Sequence, residues 1–125
     1  MRSNTEWIAA LDGSGDGHAA ALSDLRTHLL RASLFTLQRA LHDISPQESS
    51  IVRELAEDCA QEALTRIRRR LHAFHGESQF TTWAYAFAVN TAFTVARRER
   101  SAYAGHRAHE GAGSPSPGPH RVRAR

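Results

Sequence analysis

Asp58, Gln61, Glu62, Thr65, Arg66 and Arg69 fall at i, i+3, i+4, i+7, i+8 and i+11, so a helix gathers them into one polar stripe. Such a stripe has two uses. As a solvated face it gains only a few tenths of a kcal/mol from a Glu62–Arg66 pair at i,i+4. As a docking face, its carboxylates and amide accept hydrogen bonds from the guanidinium groups of a partner. Further along the chain, His75, Gly76, Glu77, Ser78 and Gln79 form a polar break before Phe80, Thr81, Thr82 and Trp83. A polar loop at a helix N-terminus presents free backbone N–H groups, which suit the acceptors of bases and phosphates. Aromatic rings nearby could stack on unpaired bases, at roughly 1–3 kcal/mol per base. Asn90 has the amide that can bond adenine in a bidentate manner. Arg97, Arg98 and Arg100 follow as phosphate contacts, or simply as a helix end whose charges favour the macrodipole.

These groups require helices to position them, and four are expected. The first covers roughly residues 5–11 and ends at Gly13, Ser14 and Gly15. The second runs over about residues 16–42 with Asp16 as N-cap. Its apolar stripe is Leu22, Leu25, Leu29, Leu30, Leu34, Leu37 and Leu41, at three- and four-residue steps. In the third, Ser45 is the expected N-cap, Pro46 stands at N1 and Glu48 completes a capping box. Nothing from residue 47 to residue 75 breaks it, and Ile51, Leu55, Cys59 or Ala60, Ala63 or Leu64, Ile67, Leu71 and Phe74 form its buried side. Gly76 ends this helix. Ser78 caps the fourth, which is expected to reach about Arg100 through Phe80, Trp83, Ala84, Phe87, Ala88, Thr91 and Val95. No period-two alternation predicts a strand. The fold class is therefore all-α, a compact bundle over residues 1–103. Residues 104–125, rich in Gly, Pro, Ser and Arg, are expected to be a disordered tail.

Taken in order, Asp58-x-x-Gln61-Glu62, then Leu71 and Phe74, then the Gly76 break, then Phe80-Thr81-Thr82-Trp83 and Ala88-Val89-Asn90-Thr91-Ala92, the chain resembles region 2 of the bacterial sigma-70 family, in particular its extracytoplasmic-function (ECF) group. The resemblance covers about residues 5–100. It implies that Asp58, Gln61 and Glu62, with Arg66 beside them, bind the β′ coiled coil of core RNA polymerase. It further implies that Glu77, Ser78, Gln79 and Phe80 line a pocket for a flipped base of the promoter −10 element, on the non-template single strand. Trp83 would then stand at the edge of the melted bubble, although core packing competes for both aromatics. Asn90 would face the upstream edge of the element, with Arg97 and Arg98 on phosphates. The implied function is binding of core polymerase together with recognition and melting of the −10 element in transcription initiation.

The chain departs from the family pattern in several places. Ala86 and His75 stand where basic residues are usual, and the stretch from residue 43 to residue 54 is longer than the usual connection. Nothing after Ser101 reads as the helix-turn-helix of region 4. These departures support an alternative, a truncated sigma-like interaction module that holds polymerase or an anti-sigma factor without initiating. Charge does not decide between the two. The net +3 arises in residues 101–125, and the first hundred residues balance twelve Arg against twelve Asp or Glu. One cysteine fits a reducing cytoplasm, and no apolar stretch approaches the roughly 18 residues of a membrane span. His72-x-x-His75 and His106-x-x-His109 lack a third ligand nearby, and no nucleophile–base arrangement or phosphate loop is present. The expectation is no enzyme, no metal and no cofactor.

Overall fold

Leucine and alanine at helical spacing build four helices in the computed structural model, which describes residues 2–13, 17–43 and 49–112. Helix α1 spans Asn4–Asp12, α2 His18–Leu41, α3 Ser49–Arg69 and α4 Phe80–Ala112, with a 3₁₀ turn at Leu71–Ala73 between the last two. The fold is all-α, with no strand among the described residues. The expected caps at Asp16 and at Ser45, Pro46 and Glu48 lie outside the described residues, as does the tail from residue 113.

The core is continuous along the bundle but divides into two clusters. In one, Leu25 and Leu29 of α2 meet Ala63, Ile67 and Leu71 on one side and Phe80, Ala84 and Ala88 of α4 on the other, closed by Trp7 and Leu11 of α1. In the second, Leu37 and Leu41 pack on Val52, Ala56 and Cys59 and on Ala92 and Ala96. Early α2 thus meets late α3 and early α4, so α3 runs antiparallel to the other two long helices. Ala84, Ala88, Ala92 and Ala96 recur every fourth residue and are all buried, which lets the backbones approach closely.

Four expectations about elements are corrected. Ile51 is 43% exposed, and Val52 and Ala56 take the buried side of α3. The α-helix does not reach residue 75. At Arg70 the backbone N–H is shared between the carbonyls of Arg66 and Ile67, and a tighter 3₁₀ turn follows. In that turn residues three apart eclipse, so buried Leu71 and half-buried Phe74 return to the same side of the chain. Ser78 does not cap α4, because its hydroxyl donates to the Gln79 carbonyl at 3.1 Å. Finally, α4 continues past Arg100 to Ala112. Ala102, Ala104 and Ala108 are strong helix formers, and the Gly- and Pro-rich composition begins only after them.

Candidate functional site

The break between α3 and α4 is held at both ends by aromatic rings. Phe74, extended at φ −81° and ψ 121°, packs edge-on against Phe80 at 5.5 Å and tilted against Trp83 at 5.1 Å. Phe80 stacks on Trp7 at 5.3 Å, and Trp83 meets Phe87 edge-on at 4.9 Å. Between these anchors the chain turns at Gly76, whose φ of +83° is a left-handed conformation that glycine adopts without strain. A Cβ there would meet nothing within 4 Å, so backbone conformation rather than space selects glycine. His75, Glu77, Ser78 and Gln79 are all exposed, and His75 Nδ1 lies 3.7 Å from Glu77 Oε2.

The cap missing from Ser78 is supplied by α1. Asn4 Oδ1 accepts from the Phe80 N–H at 2.7 Å, and Asn4 Nδ2 donates to the Ser78 carbonyl at 2.9 Å. One carboxamide thus satisfies an orphan N–H of α4 and fixes the loop that leads into it. Helix α1 is itself well defined, with a capping box in which Ser3 Oγ accepts from the Glu6 N–H while the Ser3 N–H donates to the Glu6 carboxylate. The bond from the Ser3 backbone N–H first, and the Ser3 side chain beside it second, hold the Glu6 carboxyl below the usual range. Arg2 bonds Asp24 at 2.6 Å and lies 4.8 Å above the Trp7 ring, tying α1 to α2.

Beside the loop, α1, α2 and the start of α4 enclose a cleft of about 700 Å³. Arg2, Asn4, His28 and Arg31 face it opposite Gln79 and Thr81. Sequence reasoning missed the α1 and α2 contributors because they lie far from the loop in the chain. Along α4, Asn90 and Arg97 are exposed and share a face at i,i+7. Phe93 stands between them, 50% exposed, and was also missed, although its i+3 spacing from Asn90 was there to be read. Arg97 and Arg98 have no acidic partner among the described residues.

Two residues expected to meet nucleic acid are placed elsewhere. Phe80 is fully buried among Trp7, Phe74 and Trp83, so its ring anchors the loop and offers no face for stacking. Arg100 is committed to the end of α2, donating to the Ala40 carbonyl at 2.9 Å and to Asp43 at 2.7 Å. Trp83 is half-buried in the same aromatic cluster as Phe80.

On α3, Asp58, Gln61, Glu62 and Arg66 are all exposed, with Arg66 bonded to Glu62 at 2.9 Å. Gln61 accepts from Arg26 of α2, a contributor to this face that sequence spacing could not reveal. Ile51 lies seven residues before Asp58 and extends the stripe with an exposed apolar group. Cys59, one position from Asp58, is buried in the second core cluster. Burial, with Glu62 and Asp58 nearby, pushes its thiol up to about 11. Among the described residues no group of three or more His, Cys, Asp or Glu is placed to hold a metal, and no described helix is long and apolar enough to cross a membrane. The side chains of His106 and His109 lie outside the described ones.

The described helices thus present one exposed polar face on α3 and one exposed face on α4 with an amide and two cations. Residues 35–102, more than half of the chain, match sigma-70 region 2, and the chain belongs to that family. Over 47 residues it is 49% identical to the RNA polymerase sigma-H factor of Pseudomonas aeruginosa. That similarity covers 36% of this chain and 24% of the relative, so it spans only about a quarter of the sigma-H factor. No solved structure matches the chain.

Proposed function

We propose that this chain is a sigma-factor region 2 module of the ECF type, which binds core RNA polymerase and recognises and opens the promoter −10 element in the cytoplasm. The observation that carries this reading is the exposed loop of residues 75–79. It is clamped between two core aromatics and by Asn4, and through Gln79 it borders the cleft shared with α1 and α2. A reader of unpaired bases needs such a loop held rigid before DNA arrives, because ordering it on binding would cost affinity. In this reading Glu77, Ser78 and Gln79 contact an extruded base, Asn90 reads an adjacent one, and Arg97 and Arg98 hold phosphates. Asp58, Gln61, Glu62 and Arg66 face the β′ coiled coil of the polymerase. The module needs no chemistry of its own.

A second reading rests on Ala86. It is exposed on the same row as Asn90, Phe93 and Arg97, where a cation would strengthen DNA binding. A module that occupies polymerase or an anti-sigma factor without initiating would tolerate that loss. Charge reversal at Glu62 tests the feature common to both readings. The Glu62→Arg chain should stay helical by circular dichroism and bind core polymerase about tenfold more weakly or worse, as for a charge pair within an interface. Undiminished pull-down of core polymerase would remove α3 as the docking face.

A further inference from the structure

The exposed side of α3 changes sign along its length. Glu54, Glu57, Asp58 and Glu62 occupy its middle, whereas Arg66, Arg68, Arg69 and Arg70, followed by His72, occupy its end without an acidic residue among them. Arg66 is already bonded to Glu62, and Arg53 lies 3.5 Å from Glu57. Arg68, Arg69 and Arg70 differ. Among the described residues none of the three has an acidic partner, and none of their guanidinium groups donates to a carbonyl at the end of α3, which would be its ordinary structural use. Arg68 and Arg69 instead rim a cleft of about 420 Å³ between the end of α1 and the end of α3. Gln61 and His72 add polar groups to its wall beside Thr65, whose hydroxyl donates to the Gln61 carbonyl at 3.1 Å, and Asp12 also lines it. Arg68 and Arg69 thus bring two unpaired guanidinium groups to one cleft, a fork-shaped donor set whose natural partner is a carboxylate.

We infer that α3 is a two-pole docking surface, and that the cleft between α1 and α3 receives acidic side chains from the same protein whose cations meet Asp58 and Glu62. The inference rests on the reading that α3 binds polymerase, and it adds the polarity of that contact. Glu62 and Arg69 are seven residues apart, about 10 Å along a helix, which is comparable to the screening length in physiological salt. The poles therefore act as separate contacts. A partner helix with cations and carboxylates in the opposite order fits in one direction, and reversing it sets like charges against each other.

The test uses the full chain and purified bacterial core RNA polymerase, with binding measured for the parent, Glu62→Arg, Arg68→Glu/Arg69→Glu and Arg68→Gln/Arg69→Gln. All three positions are exposed, and circular dichroism with thermal melting checks that each variant folds. Reversal of the arginine pair should lower affinity roughly tenfold or more, with the neutral pair falling between reversal and parent. If Glu62→Arg weakens binding and both arginine pairs bind like the parent, the acidic-receptor pole is wrong while α3 remains the docking face. If none of the three weakens binding, both fail. A parallel measurement on a single-stranded DNA oligonucleotide covers the other polyanion. Loss of DNA affinity with polymerase affinity intact would assign Arg68 and Arg69 to phosphate and overturn the proposal.

Discussion

Asn4 and Phe80, 76 residues apart in the chain, are joined directly, the Asn4 carboxamide oxygen accepting the Phe80 N–H at 2.7 Å while the same amide donates to the Ser78 carbonyl at 2.9 Å. A side chain of the first helix therefore caps the last one. The loop proposed to read bases is thus positioned by α1, and its rigidity depends on a residue outside the segment that matches sigma-70 region 2.

Replacing Asn4 by Ala should cost about 1 kcal/mol, the usual value of a lost helix cap. For a domain near one hundred residues this lowers the melting temperature by roughly 4–8 °C. Asp at the same position keeps the acceptor for the Phe80 N–H and should restore part of the loss. Thermal denaturation of the three chains followed by circular dichroism measures this directly, and an unshifted Asn4→Ala transition would dismiss the cap.

Arg97 and Arg100 lie three residues apart and should behave oppositely. Arg100 bonds the end of α2 through Ala40 and Asp43, so Arg100→Ala should lower the melting temperature and leave DNA affinity close to that of the parent. Arg97→Ala should leave stability within about 0.5 kcal/mol, as expected of an exposed substitution. It should weaken binding to all DNA sequences alike and reduce the salt slope by about one. Paired melting curves and salt titrations of polymerase-bound complexes separate the two roles.

Cys59 links stability to alkaline pH. Its thiol is raised from 9.0 to about 11 in the folded chain, chiefly by burial. A folded pKa above the unfolded one means that the contribution is fully present below pH 9.0 and is lost as pH rises toward about 11. Stability of the parent should therefore fall more steeply across that window than stability of Cys59→Ala. Denaturant midpoints between these pH values check the sign, and slow alkylation of the native thiol by iodoacetamide accompanies it.

The sequence made some of this structure legible and concealed the rest for identifiable reasons. Helix α2 was readable because its leucines repeat over six turns with no competing pattern, and Leu25, Leu29, Leu37 and Leu41 are all buried as the stripe requires. The outer face of α3 followed from the spacing of Asp58, Gln61, Glu62 and Arg66, all exposed. Ile51 and Val52 were interchanged because both are apolar and adjacent, and a single residue of phase decides which turns inward. Long-range contacts could not be read at all. Asn4 as the cap of α4, Arg26 on Gln61 and Arg100 on α2 join residues that sequence spacing never relates. Phe80 was assigned to a base pocket through resemblance, whereas its burial depends on Trp7 of α1 arriving from the far end of the chain.

Base discrimination on fork-junction DNA, measured by equilibrium binding of polymerase complexes carrying this chain, tests the central claim most directly. The substrates differ at single positions of the −10 element, and the chains compared are the parent, Asn90→Ala, Gln79→Ala and Arg97→Ala. The account predicts that Asn90→Ala and Gln79→Ala each lose preference at a distinct position, by about 1–3 kcal/mol where a bidentate contact is removed. Arg97→Ala should weaken every substrate by one common factor. If the Asn90 and Gln79 variants discriminate among bases as the parent does, the loop and α4 do not read the promoter.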